Sequence, residues 1–338
     1  MVNATISPFS PATASDAELV DCYDAATSAY AVDFPDRKLP TREAYISRLK
    51  LTESYAGPQQ FWVARVSGRI CGLATLILPA HENQHSTITK IQVEPPSRRS
   101  GIGTALLHAT IPIARAAGRT TVTGKALKVG ASGQLWAHAL GFASVQQFVL
   151  QTLHVPDVNP NTWIVPVPAG FRIESWIGAT PESLVEEYAE ARTAIADAPV
   201  GDSSSDFPEW SVDRVRKHEL NAEERGRELR VVAVQHAASG KIAGLTEIEL
   251  DPTRPDLALQ MDTAVRRAYR GNGLGRLIKA HMMQWLVDDR EEVERVATSN
   301  AADNTHMIRI NAEIGYGIDY TVTNVEVALE ALLADAVA

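Results

Sequence analysis

Two hydrophobic rhythms run along this chain, one of period two and one of about 3.6. Their order occurs twice. In the first half, Ala4 to Phe9 reads as a strand. Thr13 to Asp16 supplies hydroxyl and carboxylate caps for a helix carrying Leu19, Cys22 and Tyr23. Thr41-Arg42-Glu43 opens a second helix through Leu49. Phe61 to Val66 and Ile70 to Leu78 form a hairpin around Ser67-Gly68. Ser86 to Val93 is another strand. The helix after it, over residues 103–117, places Ala105, Leu106, Ala109 and Ile113 at helical spacing, and Pro112 should kink it. Thr120 to Thr123 is β-prone, Ser132 to Leu140 is a short helix closed by Gly141, and Ala143 to Leu153 reads as strands.

Pro156, Pro160, Pro166 and Pro168 then mark a linker, and the order restarts. Phe171 to Trp176 is a strand, Thr180-Pro181-Glu182 caps a helix through Ala189, and Ser211 to Arg225 is helical. Between them, Gly201 to Asp206 has the composition of a mobile loop. Leu229 to His236 and Lys241 to Leu250 form the second hairpin, and Leu257 to Val265 follows as a strand. Leu274, Leu277, Ile278, Met282, Trp285 and Leu286 share a helix face that packs on a sheet. Val296 to Ser299 is a strand, Asn304 to Ile314 a helix, and Tyr320 to Ala328 the last strand.

The two halves also align residue by residue. Val93 matches Val265, Gly101 matches Gly273 and Gly103 matches Gly275, each 172 residues apart (265 − 93). Gly72 and Gly244, about 30 residues upstream of Gly101 and Gly273, keep that spacing. A tandem duplication explains a constant offset. It sets an expected domain division of 1–155, a linker over 156–170, and 171–338. A length of 338 residues suits two domains.

Bulk properties narrow the function classes. A net charge of −9 argues against a general nucleic-acid binder. Cys22 and Cys71 form neither a disulfide framework nor a metal-ligand pattern, so no metal is expected. No apolar run reaches the roughly 18 residues of a membrane span, and the N-terminal stretch lacks the regions of a signal peptide. These features together suggest a cytoplasmic protein.

The duplicated stretch carries the chemistry. Thr263 to Leu277 reads TAVRRAYRGNGLGRL, and Gln92 to Leu106 reads QVEPPSRRSGIGTAL. Glycines that open a helix bring unpaired N–H groups to an anion, and Arg267, Arg270 and Arg276 add charge. A nucleotide-triphosphatase loop would need Lys-Ser/Thr after its last glycine, and neither copy has it. A dinucleotide fingerprint would need a third glycine where Leu106 and Ile278 stand.

V-x-P-x-x-R-x-x-G-x-G (Val93 to Gly103) and V-x-R-x-Y-R-G-N-G-L-G (Val265 to Gly275) resemble the coenzyme A pyrophosphate loop of the GNAT N-acyltransferase superfamily. Both halves also end in its helix–Gly–aromatic signature, Leu140-Gly141-Phe142 and Ile314-Gly315-Tyr316. Thr298, Asn300, Asn304, Met307 and Asn311 are similar to a pattern of tandem-GNAT proteins such as mycothiol synthase. The resemblance implies an α/β fold: two tandem domains, each a mixed sheet whose strands splay apart around the pantetheine arm. It implies acetyl-CoA as donor and a primary amine as acceptor. The implied coenzyme contacts are Val265, Arg270, Gly271, Asn272, Gly273, Leu274, Gly275, Arg276, Asn300 and Asn304. In the first half they are Val93, Arg98, Arg99, Ser100, Gly101, Ile102 and Gly103.

Acylating an amine requires a proton acceptor, which in this family is often a carboxylate. Glu247 and Asp262 are the candidates; a solvated strand face is the plainer reading of Glu247 and Glu249, and organising the loop that of Asp262. The first half has Thr75, Ile77 and Lys90 at the places of Glu247, Glu249 and Asp262, so the second half is expected to be the working one. The family's leaving-group tyrosine is replaced by Ala137 and Asn311; His306, Tyr316 and Tyr320 are possible substitutes. The expected acceptor is a small molecule entering between the halves near Gly201–Asp206, with no nucleic acid or membrane partner, on a monomer or homodimer. A peptide amine, or acyl-CoA binding without turnover, are the alternatives.

Overall fold

The computed structural model describes residues 4–51, 53–54 and 56–334. The first half runs β1 (Thr5–Phe9), α1 (Asp16–Asp33), α2 (Arg42–Leu49), β2 (Glu53–Ser54), β3 (Gly57–Val66), β4 (Arg69–Ile77), β5 (Ser86–Val93), α3 (Ile102–Ala116), β6 (Thr121–Lys128), α4 (Ser132–Ala139) and β7 (Ala143–His154). The second half runs β8 (Phe171–Ile177), α5 (Val185–Arg192), α6 (Val212–Glu224), β9 (Glu228–His236), β10 (Ile242–Leu250), β11 (Leu257–Val265), α7 (Leu274–Asp289), β12 (Arg295–Ala301), α8 (Thr305–Ile314), β13 (Gly317–Ala328) and α9 (Leu329–Ala334). Local signals set most boundaries. Ser15 and Glu18 form a reciprocal capping box on α1, and Thr41 caps α2. The helix α3 runs without a break through Pro112.

The chain forms two compact units whose boundaries differ from the expected ones. The first comprises Met1–Gln147, Gly201–Asp206 and Val322–Ala338; the second comprises Phe148–Val200 and Phe207–Thr321. In the first unit the strand order is β1-β3-β4-β5-β6, followed by residues 322–328 of β13. In the second it is β8-β9-β10-β11-β12, followed by residues 148–154 of β7. Each unit therefore takes its closing strand from the other half of the sequence. The proline-rich stretch is no loose linker either. Trp163 is 1% exposed and donates its indole N–H to the Ile314 carbonyl at 2.9 Å.

Period-two alternation builds both cores. Along β3, Phe61 and Val63 pack under α1 and α2, while Trp62 and Ala64 face α3. Along β9, Val231 and Ala233 pack under α5 and α6, while Val232 and Val234 face α7. Every residue of β10 is buried, so its two glutamates must find partners inside the protein.

Gly201–Asp206 is pinned, contrary to its composition. Ser203 donates to Glu326 at 2.9 Å, the Asp206 amide donates to Asn83 at 2.7 Å, and the Asp202 amide donates to the Val145 carbonyl at 2.8 Å. All three partners belong to the first unit. Among the described residues, no helix is long and apolar enough to cross a membrane.

Candidate active site

In the second unit, β11 and β12 pair in parallel only over Leu257–Leu259 and Arg295–Ala297, then separate. One side-chain tether follows, from Thr298 Oγ1 to the Gln260 carbonyl at 3.2 Å. Beyond it, among the described residues, the β12-facing edge of β11 has no ladder partner up to Val265, where the anion loop begins. The other edge of β11 is irregular as well. Thr263 pairs with Thr246 and Gln260 with Ile248, so Met261 and Asp262 together oppose the single residue Glu247. This is a β-bulge, which leaves one residue out of the ladder and re-aims its side chain. Gln260 fills the gap by donating to the Glu247 carbonyl at 2.7 Å and to Thr246 Oγ1 at 2.8 Å. The first unit splays in the same way after Ile88, but its β4–β5 register is unbroken, with Thr75 directly opposite Lys90.

The two loops share geometry as well as sequence. Arg270 Nε donates to the Val265 carbonyl at 3.0 Å, and Arg98 Nε donates to the Val93 carbonyl at 3.1 Å. Gly273 (φ 72°) and Gly101 (φ 85°) are left-handed immediately before α7 and α3. A Cβ on either glycine would meet nothing within 4 Å, so open space lies over both. At the place of left-handed Gly271 the first unit forces Arg99 to φ 62°. Ser100 donates to the Ser97 carbonyl and Ile102 is buried at the start of α3. Gly103 lies under the Trp136 ring, and Gly275 under Ile310.

An anion already rests on the arginines of the second loop. The Asp197 carboxylate meets Arg270 at 2.5 Å and Arg267 at 3.4 Å. It stands in for the kind of oxyanion a pyrophosphate presents, so the residues present fit that group. The remaining expected contacts are partly committed elsewhere. Arg276 lies 3.8 Å from Glu313, Asn272 donates to the Tyr269 carbonyl, and Leu274 is buried. Asn304 caps α8 by accepting from the Met307 amide, and Asn300 donates to Gln151 at 3.2 Å.

The carboxylates are arranged differently from the expectation. Glu247 does not lie on a solvated strand face: its side chain is 2% exposed. Its Oε2 accepts from Arg192 at 2.8 Å and from the Tyr188 hydroxyl at 3.0 Å, and its Oε1 lies 3.0 Å from His218 Nε2. Burial by itself would raise its pKa. Arg192, then His218 and Tyr188, outweigh burial and hold it down at about 2. Glu249 is likewise paired, with Arg227 at 2.6 Å. Arg192 spends its other terminal nitrogen on Asp262 at 3.0 Å, and its guanidinium lies 3.6 Å from the centre of the Trp210 ring. Asp262, on the bulge, is 37% exposed.

Tyr188, Arg192, Trp210, His218, Gln260 and Asp197 carry no motif, and five elements or connecting loops supply them; only the fold brings them together. Tyr316 is no substitute acid. It is buried among the α7 core residues, burial raises its pKa further, and among the described residues its hydroxyl has no partner. Asn311, at the tyrosine place, is fully buried against Gln151.

Comparison with known proteins agrees with this geometry. A family model described as Acetyltransferase (GNAT) family matches residues 19–142 and again 192–316. A solved tandem GNAT protein from the clavulanic acid biosynthesis pathway is similar at 25% identity with a TM-score of 0.78, over 97% of this chain and 99% of that one. A GCN5-related N-acetyltransferase from Sphaerobacter thermophilus gives 15% identity and 0.73, over 96% of each chain. A glucosamine N-acetyltransferase region of a fungal multi-domain GH3 β-N-acetylglucosaminidase gives 14% and 0.68, over 97% of this chain and 38% of that one. No curated protein matches by sequence. The two lower identities bear on the fold alone. The family model, however, matches twice, and each matched stretch contains one loop and one splayed strand pair: this chain belongs to the GNAT acetyltransferase family and is an acyltransferase with two tandem GNAT domains.

Proposed function

We propose that the second unit transfers an acetyl group from acetyl-CoA to the primary amine of a small molecule. The observation that carries this reading is the β11 bulge, which puts Asp262 beside an open strand edge leading into the anion loop. An ammonium needs a counter-ion, a thioester arm needs backbone groups to pair with, and a pyrophosphate needs amide donors. The second unit offers all three in sequence. The first offers the last two, but has Lys90 at the carboxylate's place and no bulge. It is suited to holding acyl-CoA without turnover, through Arg98, Arg99, Ser100 and the amides of Gly101 to Gly103. In the second unit the phosphates fall to the amides of Gly271 to Gly275 with Arg270 and Arg276, and the pantetheine arm to the edge ending at Val265. The tandem relative from a small-molecule biosynthesis pathway supports a small acceptor over a peptide.

Thiol release with acetyl-CoA and a panel of amines tests the reading. Gly273→Glu is expected to remove release and Gly101→Glu to spare it; the reverse result overturns the assignment of units. Asp197→Asn is expected to tighten coenzyme A binding about fivefold in calorimetric titration, because it removes an internal competitor of roughly 1 kcal/mol. Weaker binding would instead make Asp197 an organiser of the loop.

A further inference from the structure

We infer that His218 takes the proton from the acceptor's ammonium, with Glu247 as the carboxylate that orients its ring and Asp262 as the counter-ion that docks the ammonium. This deepens the amine-acetylation reading and rests on it.

The buried cluster leaves one group able to do this work. Glu247 is sealed at 2% exposure with both oxygens engaged, so an amine cannot reach it. Its partner His218 is 27% exposed. Of the pair, the imidazole is the member that meets solvent. Glu247 stays ionised beside Arg192, so it can only accept a hydrogen bond. His218 Nε2 must therefore carry the hydrogen and donate it across the 3.0 Å contact. In the neutral ring this is the Nε2–H tautomer, with the lone pair on Nδ1. Among the described residues Nδ1 makes no hydrogen bond.

The helix and the neighbouring ring hold the imidazole in place. Ser211 caps α6 by accepting from the Arg214 amide. Val215 is fully buried, and His218, one turn on, projects from the same face towards β10. The Trp210 ring meets the imidazole edge-on, with centroids 5.8 Å apart at 83°. A carboxylate behind one nitrogen and an aromatic plane beside the ring are what a directed proton acceptor requires.

The charges of the neighbourhood favour the transfer. Facing His218 are Glu247 from β10, and behind it Arg192 and Tyr188 from α5 and Asp262 from β11. On its own helix Arg214, Lys217 and Glu219 flank it, Arg214 near Trp210 at 5.6 Å and Glu219 on Arg216 at 2.8 Å. Within the hydrogen-bonded group itself, Glu247 and Asp262 face the single guanidinium of Arg192, a net charge of −1. An arriving ammonium balances it, and the balance is unchanged when that proton moves to the imidazole.

The ammonium gives one proton to Nδ1, and the electron pair of the broken N–H bond stays on nitrogen as its lone pair. The amine nitrogen attacks the thioester carbon, the C–N bond forms, the C–S bond breaks and the electron pair leaves on sulfur. The second N–H proton goes to the thiolate, and the imidazolium returns its proton to water. An ammonium and acetyl-CoA become an acetamide, coenzyme A thiol and one proton.

The test uses the full chain with acetyl-CoA and three probe amines, benzylamine, glucosamine and spermidine. His218→Asn is expected to lower kcat about a hundredfold or more. Imidazole should rescue His218→Ala, while Asp262→Asn should act mainly on KM. Separately, ¹⁵N-histidine spectra should show neutral His218 protonated on Nε2, and Glu247→Gln should alter that signal. His218→Asn with kcat within threefold of wild type, or a neutral ring protonated on Nδ1, overturns this inference and leaves the acetylation reading standing. Wild type that acetylates none of the three amines overturns both.

Discussion

Arg192→Leu is expected to destabilise the second unit by about 3–5 kcal/mol, because it leaves the buried Glu247 carboxylate without its cation. The guanidinium is 3% exposed and serves four partners at once: Glu247 at 2.8 Å, Asp262 at 3.0 Å, the Tyr188 hydroxyl at 3.1 Å and the face of Trp210. A shorter apolar side chain satisfies none of them. The double variant Arg192→Leu, Glu247→Leu should recover most of the loss, since replacing both members of a buried pair is far less costly than removing one. Urea denaturation of the two variants decides the matter; equal losses in both would mean that packing, not charge, holds this site. A pH series adds a second check. The Glu247 pKa is depressed from 4.5 to about 2 in the folded chain. Its contribution is therefore present above pH 4.5 and lost as pH falls through 2, a change on the order of 3 kcal/mol. The double variant should lack that part of the acid limb.

The same cluster shows where sequence is informative and where it stops. The two anion loops were legible because their work is local: left-handed glycines, a helix start, and an arginine that bonds a carbonyl five residues away. Helix caps were legible for the same reason, Ser15 with Glu18 being three residues apart. Glu247 was legible as a residue but not as a role. Its partners lie 29, 55 and 59 residues away on two helices, and no spacing rule connects them. The register shift that isolates Asp262 is likewise a property of two paired strands, not of either alone. The exchange of closing strands was illegible because β7 and β13 look alike whichever unit they join. Gly201–Asp206 misled by composition. Polar side chains suit a free loop, and they suit equally well a loop bonded to Asn83 and Glu326.

Lys279 is a different case, a charge buried without a carboxylate partner among the described residues, and Lys279→Met is expected to stabilise the second unit by about 2–4 kcal/mol at pH 7. The lysine is 2% exposed on α7, and the neighbour of its ammonium is the Tyr316 ring at 5.2 Å. That cation–π contact offsets roughly 1 kcal/mol. Burial dominates and brings the pKa from 10.5 down to about 7. The sign follows from proton counting. Between pH 7 and 10.5 the unfolded chain binds more protons at this site than the folded one, so wild-type stability rises with pH across that window. The cost is full below pH 7 and gone above about 10.5. Methionine has similar length and helix propensity and no charge to desolvate. Its advantage should therefore be largest at pH 6, smaller at pH 9 and near zero at pH 10.5 in parallel urea titrations. A gain that does not vary with pH would trace to packing around Tyr316. A loss at every pH would mean that Lys279 holds a partner in the folded core, and that α7 needs the ammonium it carries.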